Sequence, residues 1–149
     1  MIQIAIVEDE IEFQEWIEDE IKEASDIQSI GAFDVAEYAL AEIPKLAPDI
    51  VIMDLSLKKS DMDGIECMLR LKIVAPDLKF LVISSNDDES LIFEALRVGA
   101  GAYIDKSEIT MKLIKIIREF YTVGAPMSPS IASLVIRSFQ KSEADLKLI

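Results

Sequence analysis

Asp49-Ile50-Val51-Ile52-Met53-Asp54-Leu55 decides how the rest of the chain is read, because an unbroken apolar run ends on a carboxylate. A strand buried on both faces shows such a continuous run, whereas a strand with one wet face alternates. Strands of the first kind belong to parallel sheets covered by helices. Asp54 then stands at the C-terminal end of a buried strand, the edge at which open α/β sheets bind their ligands.

Outward from this strand the chain alternates two periodicities. Upstream, Ile2 to Val7 is a short apolar run, and from Glu10 to Ala24 the positions Phe13, Trp16, Ile17, Ile21 and Ala24 recur at three and four, which predicts an amphipathic helix with Phe13 and Trp16 in the core. Ile27 to Phe33 reads as a weaker strand. Val35 to Leu46 reads as a helix that stops ahead of Pro48, since the residue before a proline is pushed out of the α region. Downstream, Met62 to Val74 is a helix closed by Ala75-Pro76, and Leu78 to Ser84 is another buried run. Asp87 to Val98 is helical with Gly99 as its C-cap, Gly101 to Ile104 is a fifth strand, and Ile109 to Tyr121 is a fifth helix. Five βα units imply a doubly wound α/β fold: a parallel sheet with right-handed crossovers and helices on both faces.

Composition narrows the function. A chain of 149 residues, 51% hydrophobic and 29% charged, is globular rather than disordered and long enough for a real core. Fifteen basic against 28 acidic residues give a formal charge of −13, with no histidine. That field repels phosphate backbones and anionic lipid, so this chain is expected to bind neither nucleic acid nor a membrane surface, and it suits the capture of cations. Cys67, the lone cysteine, excludes an internal disulfide and reads as a small buried hydrophobe. No run approaches the roughly 18 apolar residues of a membrane span, and Glu8 comes too early for a secretion signal, so a cytoplasmic location is expected.

Parallel strands present all their C-terminal ends on one side. Glu8 and Asp9 end the first strand, Asp54 the third and Ser84 the fourth, and Lys106 follows the fifth, so these residues converge on one crevice. Three carboxylates there repel one another, which raises their pKa values or demands a cation. Magnesium, held by one or two carboxylates with a phosphate oxygen and several waters, suits that donor set. Taken singly each residue has a plainer reading: Asp54 as a turn cap, Glu8 and Asp9 as acids at a helix N-terminus, Ser84 as a satisfied strand-end hydroxyl, Lys106 as a surface lysine. Their convergence favours a site.

The blocks Val7-Glu8-Asp9-Glu10, Met53-Asp54-Leu55, Met62-Asp63-Gly64, Val82-Ile83-Ser84-Ser85, Gly99-Ala100 and Tyr103-Ile104-Asp105-Lys106 resemble, in order and spacing, the signature of response-regulator receiver domains. The resemblance implies a flavodoxin-like sheet of strand order 2-1-3-4-5. It implies that Asp54 takes a phosphoryl group from the phosphohistidine of a histidine kinase or phosphotransfer protein, in a magnesium-dependent reaction. Asp9 would ligate the Mg2+ ion directly and Glu8 through water, with Asp54 and the Ser56 backbone carbonyl completing the protein's share. Lys106 would contact the phosphoryl oxygens, Ser84 and Tyr103 would form the switch, and Ser56, Ser85 and Asn86 would line the entrance. Such a domain is no enzyme in the ordinary sense, since it catalyses only its own phosphorylation and slow dephosphorylation.

Two features depart from the family pattern. Glu8-Asp9 replaces the commoner pair of aspartates, and the loop Leu55 to Gly64 is longer than usual and lacks its customary proline. The long loop bears on metal affinity and kinase recognition; Lys58 and Lys59 read equally well as a solvated insertion. A flavodoxin would need a phosphate-cradling loop where Glu8-Asp9-Glu10 stands, and a haloacid-dehalogenase-like phosphatase a second acid where Ser56 stands. A pseudo-receiver that binds partners without phosphorylation remains the rival.

Residues 1–123 thus read as the receiver, and 124–149 as a linker and additional helix. Gly124-Ala125-Pro126-Met127-Ser128-Pro129 breaks the pattern, with Ser128 as N-cap and Pro129 as first helical position of a helix from Ile131 to Gln140. This tail, with Asn86-Asp87-Asp88-Glu89, is similar to the LuxR-type transcription regulators, where it connects receiver to helix-turn-helix domain. The resemblance implies a transcriptional output through a DNA-binding domain outside this chain. The apolar stripe Ile131, Leu134, Val135 and Phe139 needs a cover, either the receiver itself or a second copy in a homodimer.

Overall fold

The computed structural model describes residues 1–85, 89–109 and 112–147, with side-chain surroundings through residue 140. Strands β1 (Ile2–Val7), β2 (Ile27–Phe33), β3 (Ile50–Asp54), β4 (Lys79–Ser84) and β5 (Ala100–Asp105) form one parallel sheet in the order β2-β1-β3-β4-β5. Helices α1 (Ile11–Lys22), α2 (Ala36–Leu46), α3 (Gly64–Val74), α4 (Glu89–Val98) and α5 (Leu113–Thr122) follow the strands, and α6 (Pro129–Lys147) closes the chain. The doubly wound fold and strand order expected from the sequence are both present. β3 is the central strand and all five of its residues are buried.

Side chains alternate across each strand, so every buried run feeds two cores. Ile4, Ile6, Ile50, Ile52, Ile83 and Ile104 pack with residues of α1 and α5. Ala5, Val7, Val51, Met53, Val82 and Tyr103 pack with α2, α3 and α4. A continuous apolar run is what such a strand needs, as Ile50 to Met53 shows.

Element ends differ from the sequence reading where side chains intervene. α3 begins at Gly64 rather than Met62 because Asp63 caps it, Oδ1 accepting the Glu66 N–H at 2.8 Å. A Cβ on Gly64 would lie 2.5 Å from the Asp54 carbonyl oxygen, so glycine is what lets α3 start against the end of β3. α2 contains Pro44, whose ring removes one ladder bond near the helix end. α5 starts at Leu113 rather than Ile109, after a 3-10 turn over Lys106–Glu108. Asn86, Asp87 and Asp88 lie outside the described residues, so α4 is described from Glu89.

The tail returns to the sheet. Met127 pairs with Tyr103 in parallel register: the Tyr103 N–H donates to the Pro126 carbonyl at 3.3 Å, and the Ser128 N–H donates to the Tyr103 carbonyl at 3.2 Å. Ser128 does stand at the N-cap position, its carbonyl accepting the Ala132 N–H at 2.9 Å. Its hydroxyl, however, accepts the Asp105 N–H at 3.2 Å and so ties the tail to β5. Ile131 is buried and Leu134 packs on the same core, whereas Phe139 is 77% exposed, so only part of the expected stripe is covered. Among the described residues, no helix is long and apolar enough to cross a membrane.

Candidate functional site

The ends of β1, β3, β4 and β5 meet at one edge because the strands are parallel and in register, Ser84 lying opposite Asp105. A cleft of about 550 Å³ opens there, lined by Asp9, Asp54, Ser56, Lys58, Ser85 and Lys106 among others. Asp54 is buried in its lining, 4% exposed, and Glu8 is buried next to it, 2% exposed. Carboxylate oxygens of Glu8, Asp9 and Asp54 all lie within 4.8 Å of one another.

Lys106 is the cation of this group. Its Nζ lies 2.6 Å from Glu8 Oε1, 3.3 Å from Glu10 Oε2 and 3.6 Å from Asp54 Oδ2. One ammonium faces two buried carboxylates, and the charge balance shows in Glu8. Burial, then the hydrogen bond with Asp54, push its carboxyl up to about 8, against the pull of Lys106. Burial alone would lower the Lys106 pKa; contact with Glu8 and Asp54 outweighs it and raises it. The backbone also serves the site, as the Ser56 N–H donates to Asp54 Oδ1 at 3.1 Å.

This crowding is itself a fit test for a metal ion. Three carboxylates within 4.8 Å of one another, hard oxygen donors at a cleft, and a carboxyl whose pKa is raised first by burial and then by its neighbour Asp54 suit a hard divalent cation such as magnesium. Asp9 is half-buried, and its Oδ2 accepts the Lys58 N–H at 2.6 Å.

The long loop after β3 proves to be anchored rather than loose. Ser60 Oγ accepts the Ala36 N–H at 2.7 Å, filling the cap of α2 that Val35 cannot supply. Glu37 Oε1 accepts the N–H groups of Asp61 and Met62 at 3.0 and 3.2 Å, and Lys59 pairs with Asp34 at 3.6 Å. The loop thus runs from Asp9 at the cleft to the start of α2.

Of the residues singled out from the sequence, Glu8, Asp9, Asp54, Ser56, Ser85 and Lys106 come together. Ser84 is buried at the end of β4, and Tyr103 is fully buried among the residues facing α2 to α4. Asn86 lies outside the described residues. Sequence reading missed Glu10 and Phe13, both against Lys106, and Gln14, whose Nε2 donates to the Glu8 carbonyl at 2.9 Å. Their spacing of three and four was the available signal.

Comparison with known proteins identifies the family and the fold. A family model described as the response regulator receiver domain matches residues 4–118. The transcriptional regulatory protein DegU of Brevibacillus brevis is 28% identical over 140 residues, which cover 94% of this chain and 58% of the relative. The response regulator GacA of Pseudomonas aeruginosa is 27% identical over 146 residues, covering 97% of this chain and 67% of GacA. This chain therefore spans somewhat over half to two thirds of the length of these relatives. A LuxR-family two-component response regulator from an Aurantimonas species superposes with a TM-score of 0.84 at 24% identity, over 91% of this chain and 96% of that one, a likeness of fold. A buried acid at the end of the central strand, in a sheet whose family match takes in every strand, is how this sequence belongs to the response regulator receiver domains.

Proposed function

We propose that Asp54 is the phosphoacceptor of this receiver and takes its phosphoryl group from the phosphohistidine of a histidine kinase or phosphotransfer protein. The observation that carries this reading is the position of Asp54, buried in the cleft lining with Oδ2 3.6 Å from Lys106 Nζ. A carboxylate oxygen attacks phosphorus; the P–O bond forms as the P–N bond to the imidazole breaks, and the imidazole leaves with the electron pair. Nucleophile and phosphoryl group are both anionic, so the equatorial oxygens need cationic partners. Lys106 is one, its ammonium turning from the surrounding carboxylates to the phosphoryl oxygens. Glu8, Asp9, Asp54 and the Ser56 carbonyl would hold Mg2+, which supplies the remaining charge neutralisation. Dephosphorylation uses the same cleft with water as nucleophile, and Ser56 and Ser85 flank its approach.

In this reading Ser84 and Tyr103 carry the change outward. Residues 1–123 are the receiver, and 124–149 connect it to an output that, by the descriptions of its relatives, is transcriptional. The protein works in the cytoplasm, and the exposed Ile136 and Phe139 of α6 offer a contact for a second copy. Incubation with magnesium and acetyl phosphate, followed by intact-mass measurement, tests the core of the reading. One phosphoryl group should be gained by the native chain and none by Asp54→Asn. No gain where a control receiver is phosphorylated, or a gain that survives Asp54→Asn, would refute it.

A further inference from the structure

Lys106 is bounded by three carboxylates and by one aromatic face. Its Nζ lies 4.5 Å from the centroid of the Phe13 ring. Glu10, at the N-cap of α1, and Phe13, in its first turn, are three apart and so share one side of the helix start, which brings both to the lysine. The Phe13 ring is held in turn by Trp16, their centroids 5.5 Å apart at 34°. Phe13 is half-buried: it packs against the core shared by α1 and α5 and also lies against the lysine.

The four contacts differ in kind. Glu8 and Glu10 bind the ammonium through directed, charge-assisted hydrogen bonds, Asp54 pairs with it at 3.6 Å, and all three compete with an incoming phosphoryl group for the same cation. An aromatic face attracts a cation through its quadrupole, without taking a proton and with little directional demand. A lysine has a long stem whose rotamers are costly to fix. A ring under the ammonium narrows that search yet leaves the N–H groups free to change partner.

We propose that Phe13 is a positioning residue for Lys106, its ring face holding the ammonium at the Asp54 side of the cleft while the partner oxygens change from carboxylate to phosphoryl. The role in phosphoryl transfer rests on Asp54 being the phosphoacceptor; the contact itself does not.

Phe13→Leu keeps an apolar side chain and removes the quadrupole, whereas Phe13→Tyr keeps both. In the full chain labelled at the lysine ε-carbons, with Lys106→Arg used for assignment, the Lys106 ε-protons should be shifted upfield by the ring. They should return to ordinary lysine positions in Phe13→Leu and stay shifted in Phe13→Tyr. Phosphorylation by acetyl phosphate at saturating donor should slow about two- to fivefold in Phe13→Leu, the size of a partly exposed cation–π contact, and recover in Phe13→Tyr. Unshifted ε-protons in the native chain overturn the proposal, as do equal rates in the leucine and tyrosine variants. If the native chain takes no phosphoryl group the phosphoacceptor reading fails, and the resonance still decides the contact.

Discussion

Replacing Glu8 by glutamine isolates the electrostatics of the cleft. Glutamine copies the protonated acid in shape: its oxygen can accept from Lys106 and its amide can donate to Asp54. The native carboxyl ionises near 4.5 when unfolded and at about 8 in the fold, chiefly because it is buried. Below 4.5 it is protonated in both states and exerts no pH leverage. Between the two values the unfolded chain gives up a proton that the fold retains, so stability falls as pH rises, by about 1.4 kcal/mol per unit. Above 8 the loss levels off. From pH 5 to pH 7 the fall assignable to Glu8 is about 3 kcal/mol, or roughly 5–10 °C in Tm for a domain of this size. Thermal unfolding of metal-free protein at pH 5, 6, 7 and 8 measures it: the native curve should drop away from that of Glu8→Gln across this range. Added magnesium binds the ionised form and should raise the native Tm more at pH 8 than at pH 6, with a smaller response in Glu8→Gln. Parallel pH curves for the two proteins would refute the assignment of the raised pKa to Glu8.

Two further substitutions probe how the backbone holds the site. Gly64→Ala puts a Cβ 2.5 Å from the Asp54 carbonyl oxygen and 2.7 Å from Leu55 Cα, so strand end or helix must move. A loss of about 1–3 kcal/mol is expected in denaturant unfolding, with slower phosphorylation than the native chain; native stability would show that the backbone there is soft. Ser60→Ala removes the acceptor for the Ala36 N–H and should cost about 1 kcal/mol, with faster hydrogen exchange at residues 57–62. Unchanged exchange would mean that Glu37 and Lys59 hold the loop without it.

Much of the fold is legible because burial on both faces leaves a mark on composition. β3 and β4 are runs of large apolar residues, and nothing but a covered parallel sheet explains them in series. The site is legible for a geometric reason: once strands are parallel, the residue after each run is placed at the same edge whatever its identity. Three things were not legible. Asp63 fixes the start of α3 through one hydrogen bond, a local event that hydrophobic periodicity does not register. The long loop carries no pattern, and its order comes from Ser60, Glu37 and Lys59 finding partners distant in sequence. Phe13 reads as core by period, yet period reports which face of a helix is covered and not by what; here part of the cover is an ammonium.

The tail poses the same problem at larger scale. Gly124 to Pro129 looks like a linker, since pairing through a single residue needs no alternation and Pro126 contributes only its carbonyl. Yet that pairing takes both the N–H and the carbonyl of Tyr103, and Ser128 Oγ takes the N–H of Asp105, the residue before Lys106. Tail and cleft are therefore attached to consecutive residues of one strand end. A shift of the Lys106 backbone toward a ligand in the cleft changes the geometry of the Asp105–Ser128 bond. If docking of residues 126–128 differs in free energy between the two placements, a cleft ligand alters tail docking by the same factor by which the tail alters the ligand's affinity. If the bonds are equally good in both, there is no coupling, however close the two lie. The quantity that decides whether this strand end transmits anything is thus a difference between two states of three hydrogen bonds, not the existence of the contact.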